Sequence, residues 1–347
     1  MRKIVCLPGD GIGPEIMEAA LRVLEKTAQR FGFVYETDMK AFGGAAIDQY
    51  GEPFTEEVRQ AVSTADAVLL GAIGGPKWDQ CEQRPEQGLL ALRKFLAVYA
   101  NVRPLRVADS LTRLSPLKAD IVRGTDLVIV RELTGGAYFG EGRYLREDEA
   151  MDTMPYSRPE IERILRYAFE TAGKRRGLLT SVDKANVLST SKLWRRIAEE
   201  MAADYPEVRL EHRYVDAMAM ELVTRPSRFD VIVTENLFGD ILSDEASVLG
   251  GSLGLLASAS FGDGTAALYE PAHGSAPDIA GSDTANPIAM ILSVAMMLRH
   301  SFGRPDMAEV IEQAIDQTLH EGWMTKDLDG RRFLSTSRWT EELLKHI

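Results

Sequence analysis

Two carboxylates near the middle of the chain have a spacing that suits a metal ion. Asp240 and Asp244 lie four residues apart in the segment TENLFGDILSDEASVLGG, which follows a strand-like run from Asp230 to Thr234. Four residues span about one helical turn, so both side chains would lie on one face of a helix. Such a pair can hold one hard cation, although carboxylates at this spacing are also common on solvated helices.

Three arginines end or follow separate elements of the chain. Arg93 lies in GLLALRK, Arg103 in NVRP, and Arg131 at the end of the apolar run LVIVRE. Single arginines in such places usually lie at the surface. Three at strand or turn ends can instead converge on a small anion, because a guanidinium group matches a carboxylate with paired hydrogen bonds.

A tyrosine follows two glycines shortly after the last of these arginines. Gly135 and Gly136 in ELTGGAYFGE would let the backbone pass close to a ligand and present Tyr138. A tyrosine in this position is more often a packed aromatic residue. Beside an arginine or a lysine, however, its phenol is suited to donate a proton.

A lysine and an aspartate follow two further strand-like runs. Lys184 in LLTSVDKANVL precedes a helix that should begin near Ser189, and Asp216 lies at the end of the run LEHRYVD. A lysine at a strand exit is generally solvated, and it becomes a base only where burial beside other cations lowers its pKa. Asp216 is a third candidate acid.

The segment EPAHGSAPDIAG and the later NP supply small residues and helix starts that suit phosphates and a ribose. Asp278 would accept hydrogen bonds from a ribose hydroxyl and repel a 2′-phosphate, which favours NAD over NADP. The candidate cofactor-binding residues are Glu270, His273, Gly274, Ser275, Ala276, Pro277, Asp278 and Asn286.

Two other patterns suggest different chemistry. PGDGIGPEI places glycines between a strand and a helix, but Pro14 and Glu15 follow Gly13, which is wrong for a Rossmann fingerprint. We interpret it as a structural or cofactor-edge loop, with Pro14 opening the helix. GGSLG matches a serine-hydrolase elbow at Ser252, with His273 as a candidate base. The segment before it predicts a helix, whereas the elbow requires a strand.

Composition sets broad limits on the chain. Its 347 residues are 45% hydrophobic, which predicts two domains or one large sheet protein. The formal net charge of −12 argues against a nucleic-acid-binding surface. The N-terminus predicts no signal peptide, so we expect a cytoplasmic protein whose two cysteines are reduced. The longest apolar run, 288–298, is too short to span a membrane and predicts a buried helix.

Short apolar runs alternate with helical periodicity, which indicates an α/β protein. Runs 4–7, 67–70, 127–130 and 231–233 predict strands. A strong amphipathic pattern over 161–172 predicts a helix, with a capping box formed by Ser157 and Glu160. Breaks at 101–104 and 250–254 bracket a central block of domain size. The pattern alone leaves open whether the two flanks fold together.

Taken together, these segments resemble the isocitrate/isopropylmalate family of β-decarboxylating dehydrogenases over essentially the whole chain. The segments that carry the resemblance are PGDGIGPE, AVLLGAIGGPKW, GLLALRK, NVRP, RELTGGAYFG, DKANVL, VDAMAM, TENLFGDILSDEAS and EPAHGSAPDIAG. The resemblance implies an open α/β sheet in two domains without a Rossmann unit. Residues 1–99 and 252–347 would build the cofactor-side domain. Residues 100–251 would build the second domain, with the dimer interface and the metal ligands.

The resemblance also implies roles for the candidate residues. Family members are homodimers with shared active sites in the interdomain cleft, so we expect a homodimer that binds neither nucleic acid nor membrane. Arg93, Arg103 and Arg131 would bind the substrate carboxylates and hydroxyl. Asp240 and Asp244 would ligate Mg²⁺ or Mn²⁺. The partner subunit would contribute Asp216, as a metal and substrate ligand, and Lys184, as the base during oxidation. Tyr138 would protonate the enol.

The implied reaction is the NAD-dependent oxidative decarboxylation of (2R,3S)-3-isopropylmalate to 4-methyl-2-oxopentanoate and CO₂ in leucine biosynthesis. Leu89 and Leu90 would form an apolar pocket for the isopropyl group. The alternatives are a D-malate or tartrate dehydrogenase on the same scaffold, a regulatory subunit without turnover, and a hydrolase that uses Ser252. Ser282 and Asp283 depart from the more basic or glycine-rich turn that relatives often have, which affects the expected cofactor-edge contacts.

Overall fold

The computed structural model describes residues 1–264 and 266–347, which form two compact units. The terminal unit comprises Met1–Val98 and Gly251–Ile347, and the central unit comprises Tyr99–Gly250. The predicted domain boundaries lie one residue further along the chain at each junction. The functions assigned to the two domains stay predictions.

Strands and helices alternate along the described residues, as the α/β prediction requires. The strands are β1 Arg2–Gly9, β2 Tyr35–Met39, β3 Ala67–Ala72, β4 Val98–Arg106, β5 Asp126–Glu132, β6 Tyr144–Leu145, β7 Ala150–Met151, β8 Leu178–Asp183, β9 Arg209–Tyr214, β10 Val231–Thr234, β11 Ala257–Gly262 and β12 Ala267–Pro271. The helices are α1 Gly13–Phe31, α2 Gly44–Tyr50, α3 Glu56–Ser63, α4 Pro85–Phe95, α5 Ala119–Val122, α6 Arg158–Gly173, α7 Ser189–Ala202, α8 Val215–Thr224, α9 Asn236–Ser247, α10 Ile288–His300, α11 Pro305–His320 and α12 Thr336–Leu344.

The terminal unit is built on strands in the order β2-β1-β3-β12-β11. Neighbouring strands are parallel, except that β11 runs antiparallel to β12. β3 is buried along its whole length, which is expected for an apolar strand covered on both faces. Helix α10 is buried on nearly all sides, which confirms the buried helix predicted over 288–298. No helix among the described residues is long and apolar enough to cross a membrane.

The glycine-rich turn after β1 packs closely against its neighbours. Gly11 has a φ of +57°, and a Cβ atom there would lie 2.0 Å from the carbonyl oxygen of Ser275. Only glycine satisfies both constraints. Pro14 lies in the first turn of α1, as predicted. The buried carboxylate of Asp10 accepts hydrogen bonds from three backbone N–H groups in neighbouring segments, those of Gly44, Ala45 and Gly74.

The GGSLG pattern does not form a hydrolase elbow. The segment before it is helix α9, followed by a short 3₁₀ turn, and not a strand. The hydroxyl of Ser252 accepts a hydrogen bond from the N–H of Gly254, and it donates one to Asp327. Ser252 therefore caps a turn.

The central unit is built on strands in the order β4-β5-β10-β8-β9. β4 is antiparallel to β5, and the other neighbours are parallel. Helix α6 buries the predicted apolar face, and Glu160 accepts a hydrogen bond from the N–H of Ser157, 2.7 Å, at its start. Because β5, β8 and β10 are parallel, the segments that follow them leave the sheet at one edge. Those segments carry Tyr138, Lys184 and α9.

At the opposite end of these strands, the buried carboxylate of Asp230, just before β10, bonds to the segment that precedes β8. Asp230, whose side chain is 1% exposed, accepts hydrogen bonds from the Nε of Arg175 at 2.7 Å and the N–H of Arg176 at 2.8 Å. Arg175 also donates to Asp126, whose side chain is 56% exposed. One arginine thus bridges a buried and an exposed carboxylate.

We expect Asp230→Ala to lower the free energy of unfolding by about 3 kcal/mol, because it removes the buried acceptor of the Arg175 Nε and of the Arg176 backbone N–H. The matched control is Asp126→Ala, which removes an exposed partner of the same arginine and should cost less than about 1 kcal/mol. Urea unfolding followed by circular dichroism measures both. Equal losses would contradict the assigned role of the buried carboxylate.

Candidate active site

Helix α9 carries the acidic pair on one face. Its first turn is capped by Glu235, whose carboxylate accepts hydrogen bonds from the N–H groups of Leu237, 3.0 Å, and Phe238, 2.7 Å. This cap fixes where the helix begins and therefore which side chains share a face. Asp240 and Asp244 both lie in the helix, one turn apart, as predicted.

Arg131 and Tyr138 both contact the first aspartate of the pair. Arg131 is the second-last residue of β5 and is buried, and its Nη1 donates a hydrogen bond to Asp240. The hydroxyl of Tyr138 donates to the other oxygen of Asp240 at 2.5 Å. The guanidinium carbon of Arg131 also lies 5.3 Å from the centre of the Tyr138 ring. The predicted anion-binding arginine, proton donor and metal ligand therefore lie in direct contact.

Arg103 reaches the same helix from the neighbouring strand. Its Nε donates to the amide oxygen of Asn101 at 2.9 Å. Its Nη1 donates to the hydroxyl of Ser243 at 2.7 Å and to Asp244 at 3.3 Å. Asn101 is paired with Arg131 in the β4–β5 register, so the two arginine-bearing strands meet at this point. We call Arg103, Arg131, Tyr138, Asp240 and Asp244 the arginine cluster.

The electrostatics of the arginine cluster separate its two aspartates. Burial alone would raise the pKa of Asp240, but the charge of Arg131 and the hydrogen bond from Tyr138 lower it on balance. Burial raises the pKa of Asp244, and the nearby Asp240 adds to this effect while Arg103 opposes it. Burial and the contact with Asp240 raise the pKa of Tyr138, so its phenol keeps its proton near neutral pH.

Lys184 and Asp216 form a second pair. Lys184 follows β8, Asp216 lies in the first turn of α8, and the ammonium group donates a hydrogen bond to the carboxylate. This contact lowers the pKa of Asp216. The backbone N–H of Lys184 donates to the hydroxyl of Ser191 at 3.0 Å, which fixes the strand exit. The two residues predicted to act from the partner subunit are therefore neighbours in one chain.

The arginine cluster fits a hard cation only in part. Asp240 and Asp244 have side chains that are 35% and 59% exposed, and carboxylate oxygens are ligands that Mg²⁺ and Mn²⁺ prefer. Within residues 1–264 and 266–347, however, no three histidine, cysteine, aspartate or glutamate side chains come together to hold a metal ion. A further protein ligand would have to come from outside this arrangement.

Helix α4 presents the predicted substrate-pocket residues of the terminal unit. Leu89 and Leu90 lie three to four residues before Arg93, hence on its face of the helix. Arg93 donates from Nη2 to Glu270 at 2.7 Å. The Nε of Arg93 is buried without a partner among the described residues. A buried unpaired donor of this kind suits an anionic ligand.

The predicted cofactor segment follows β12 in the terminal unit. Ser275 is buried, and its hydroxyl donates to the carbonyl of Gly74 at 2.8 Å, so this side chain has a structural contact. The Nε2 of His273 is buried without a partner among the described residues, and burial lowers the pKa of its ring. A neutral imidazole with an unpaired nitrogen fits a polar group of a dinucleotide.

Other cofactor candidates differ in their surroundings. Ala276 has a left-handed φ of +40°, and Pro277 and Asp278 lie in a 3₁₀ turn after it. The amide of Asn286 bonds at both ends, from Nδ2 to Asp327 at 3.0 Å and from the N–H of Ile288 to Oδ1 at 2.9 Å.

Asp283, which departs from the turn that relatives often have, contacts Ser337 in the same unit. Its φ is +54°, and its carboxylate accepts hydrogen bonds from the N–H and the hydroxyl of Ser337 at 2.8 and 2.6 Å. These bonds attach the turn 281–285 to the start of α12. A short acidic side chain tolerates this backbone conformation better than most.

Three neutral residues that hold the arginines were not predicted from the sequence, namely Asn101, Asn236 and Ser243. Asn236 accepts hydrogen bonds from the Nε and Nη2 of Arg131 at 3.0 and 2.8 Å. One signal was available for two of these residues. Asn236, Asp240 and Ser243 follow helical spacing, so a polar stripe on one face of α9 was readable.

Comparisons with known proteins identify the family of the chain. The family model "Isocitrate/isopropylmalate dehydrogenase" matches residues 3–343. Proteins named 3-isopropylmalate dehydrogenase from Lactococcus lactis and Streptococcus thermophilus are 58% and 56% identical to this chain. The alignments cover 99% and 100% of this chain, respectively, and 99% of each relative.

Solved structures give the same result. The crystal structure of isocitrate dehydrogenase from Methylococcus capsulatus has a TM-score of 0.90 and 38% identity, covering 100% of this chain and 99% of that chain. The apo β-decarboxylating dehydrogenase from Thermococcus kodakarensis has a TM-score of 0.82 and 38% identity, covering 100% and 96%. By sequence and by structure, the chain belongs to the isocitrate/isopropylmalate dehydrogenase family.

Proposed function

We propose that the chain oxidises (2R,3S)-3-isopropylmalate with NAD⁺ and releases CO₂, giving 4-methyl-2-oxopentanoate for leucine biosynthesis. The observation that carries the proposal is the arginine cluster, where two buried guanidinium groups, a protonated phenol and two carboxylates meet along α9. This combination suits a dicarboxylate bound beside a cation and a proton donor.

Relatives named 3-isopropylmalate dehydrogenase favour this substrate over D-malate or tartrate. Leu89 and Leu90 agree, because an apolar surface favours an isopropyl group by about 1 to 3 kcal/mol over a hydrogen. Arg93, on the same face of α4, is proposed to bind a substrate carboxylate. A regulatory subunit is disfavoured because Tyr138 and Lys184 are both present.

In the first step, the residues of this chain orient the substrate and remove its hydroxyl proton. Arg103 and Arg131 bind carboxylate oxygens through paired N–H donors. Lys184, once it has lost a proton and left its ion pair with Asp216, accepts the hydroxyl proton as a neutral amine while the hydride leaves. When bound, NAD⁺ would supply the hydride acceptor, and Asp240, Asp244 and the partner subunit's Asp216 would hold a divalent cation that offsets negative charge on the substrate oxygen.

In the second step, loss of CO₂ leaves an enolate that must be protonated. The positive charges of Arg103 and Arg131 lie where they stabilise this anion. Tyr138 donates its proton to the enolate carbon and is later reprotonated. The raised pKa of its phenol keeps the proton in place until this step.

A homodimer would bring the Lys184–Asp216 pair to the arginine cluster of the other subunit. Large apolar side chains are exposed on α8, on α9 and the residue after it, and on the β6–β7 hairpin. Exposed apolar groups on such elements are typical of a subunit interface. The residues are Met220, Val223, Ile241, Val248, Leu145 and Met151. Asp278 is proposed to select NAD, and the cytoplasmic location stays a prediction.

The first test is the activity itself. NADH formation with Mg²⁺ should be at least about tenfold faster at equal low concentrations of 3-isopropylmalate than of D-malate, because only the former fills an apolar pocket. A chelator should abolish the rate, and added Mn²⁺ or Mg²⁺ should restore it. Preference for D-malate would contradict the role of Leu89 and Leu90, and turnover on neither substrate would contradict the proposed function.

Separate assays of the two steps test the assigned acid and base. Lys184→Ala should slow oxidation about 10²- to 10⁴-fold, and decarboxylation of the supplied 2-oxo intermediate much less. Tyr138→Phe should slow formation of the protonated product from the supplied 2-oxo intermediate more than it slows oxidation. The two variants control for each other, and equal losses in both assays for either one would refute its role.

Co-expression of two strongly impaired chains tests the shared site. Chains with Arg131→Lys and chains with Lys184→Ala, carrying different affinity tags, would form heterodimers with one intact site if the partner subunit's Lys184 serves each arginine cluster. Purified heterodimers should then regain about half of the wild-type activity. Each variant homodimer is the control. Inactive heterodimers would place Lys184 in the site of its own chain.

A further inference from the structure

We propose that Asn236 is a positioning residue that links the guanidinium group of Arg131 to the turn carrying Tyr138. This inference rests on the proposed function, because it assigns Asn236 to the same reaction. Asn236 is the first residue of α9 and is 1% exposed. Its side chain lies among the catalytic groups, and the mechanism above gives it no role.

The amide oxygen of Asn236 holds one edge of Arg131. It accepts hydrogen bonds from Nε at 3.0 Å and from Nη2 at 2.8 Å, while Nη1 donates to Asp240. The guanidinium plane is therefore fixed from two sides. Because the amide is neutral, it orients the group without cancelling its charge, and a guanidinium has more N–H donors than these bonds use. Arg131 thus keeps positive charge and donors for a substrate carboxylate.

The surroundings leave Arg131 little freedom to adopt another position. A Cβ atom at Gly239, one turn further along α9, would lie 2.7 Å from the Cγ of Arg131. The arginine stem therefore packs directly on the helix backbone. A side chain packed in this way depends on its hydrogen bonds for the orientation of its planar end.

The amide nitrogen of Asn236 holds the tyrosine turn. It donates to the carbonyl oxygen of Gly135 at 3.1 Å, immediately before the 3₁₀ turn Gly136–Tyr138. The N–H of Gly135 in turn donates to the buried carboxylate of Glu132 at 2.8 Å. The turn is thus held at Gly135, whose carbonyl oxygen accepts from Asn236 and whose N–H donates to Glu132.

A second tyrosine closes the arrangement. The backbone N–H of Asn236 donates to the hydroxyl of Tyr156 at 3.0 Å. The ring of Tyr156 packs against the glycines, because Cβ atoms built at Gly135 and Gly136 would lie 2.5 and 2.6 Å from Tyr156 atoms. The position of the turn therefore depends on contacts with Asn236 and Tyr156.

The hydrogen-bond partners distinguish the amide oxygen of Asn236 from its amide nitrogen. The oxygen faces two N–H donors and the nitrogen faces a carbonyl, so the side chain must be an acceptor and a donor at once. Aspartate keeps the acceptor for Arg131 but lacks the donor to Gly135 and adds a negative charge, and alanine lacks both groups. The substitutions therefore separate the two contacts.

Double-mutant cycles test the link. Asn236→Ala should lower kcat/KM for 3-isopropylmalate at least about tenfold, because two hydrogen bonds to a charged group are lost. In an Arg131→Lys chain, which lacks the forked edge, the same change should cost less than about threefold. In a Tyr138→Phe chain, the effect of Asn236→Ala on kcat should shrink in the same way, while its effect on KM should persist.

The control is Thr318→Ala, which removes a buried hydroxyl that donates to the carbonyl oxygen of Ala314 within α11 and has no assigned role in the reaction. Its effect should be the same factor in the wild-type chain and in the Arg131→Lys chain, within about twofold. The proposal would be overturned if Asn236→Ala lowered kcat/KM by the same factor in the wild-type, Arg131→Lys and Tyr138→Phe chains. A general structural role of Asn236 would give this result, because it involves no coupling to Arg131 or Tyr138.

A second variant and a second measurement test the proposal if Asn236→Ala does not fold or if the wild-type chain shows no turnover. If Asn236→Ala does not fold, Asn236→Asp replaces it, and an absent coupling to Tyr138→Phe overturns the proposal. If the wild-type chain shows no turnover, the proposed function fails, but the same cycle measured as free energy of urea unfolding still tests the contact with Arg131. Independent, additive losses in that cycle would refute it.

Discussion

Two buried guanidinium groups must be held in place without losing their positive charge, and the central unit is arranged around this requirement. Arg103 and Arg131 lie on adjacent antiparallel strands that meet α9. Each has a neutral amide oxygen on its Nε side, from Asn101 or Asn236, and a carboxylate elsewhere. Neutral acceptors fix the direction of each guanidinium group, whereas carboxylates offset part of its charge. This combination suits the dianionic substrate that we propose.

The same arrangement gives the two aspartates of α9 different properties. Asp240 lies between Arg131 and Tyr138, so its ionised form is favoured and it also holds the phenol proton in place. Asp244 is more exposed, yet partial burial and a neighbouring negative charge disfavour its ionised form. A divalent cation beside both would offset this cost. One turn of α9 therefore brings buried guanidinium groups, a protonated phenol and two carboxylates into contact, which are the groups that the proposed reaction needs.

The elements of the fold were largely predictable, since periodicity and capping are local. The capping box of α6, Pro14 in the first turn of α1 and the buried α10 all follow from neighbouring residues. Contacts between distant residues were not predictable in this way. Arg131 and Asn236 are separated by 105 positions, and no local pattern indicates that an amide will meet a guanidinium. The pairing of Arg93 with Glu270, 177 positions apart, is of the same kind.

The sequence by itself determined the α/β class, the family and the helical spacing of Asp240 and Asp244, because these depend on local order along the chain and on motifs that can be recognised one at a time. Only the tertiary structure decided that Asn236 and Asn101 hold the arginines, that Asp240 contacts both Arg131 and Tyr138, and that Lys184 pairs with Asp216. The physical reason is that strand order and helix packing set these distances. Hydrogen bonds and charges act only over the few ångströms that the folded chain creates.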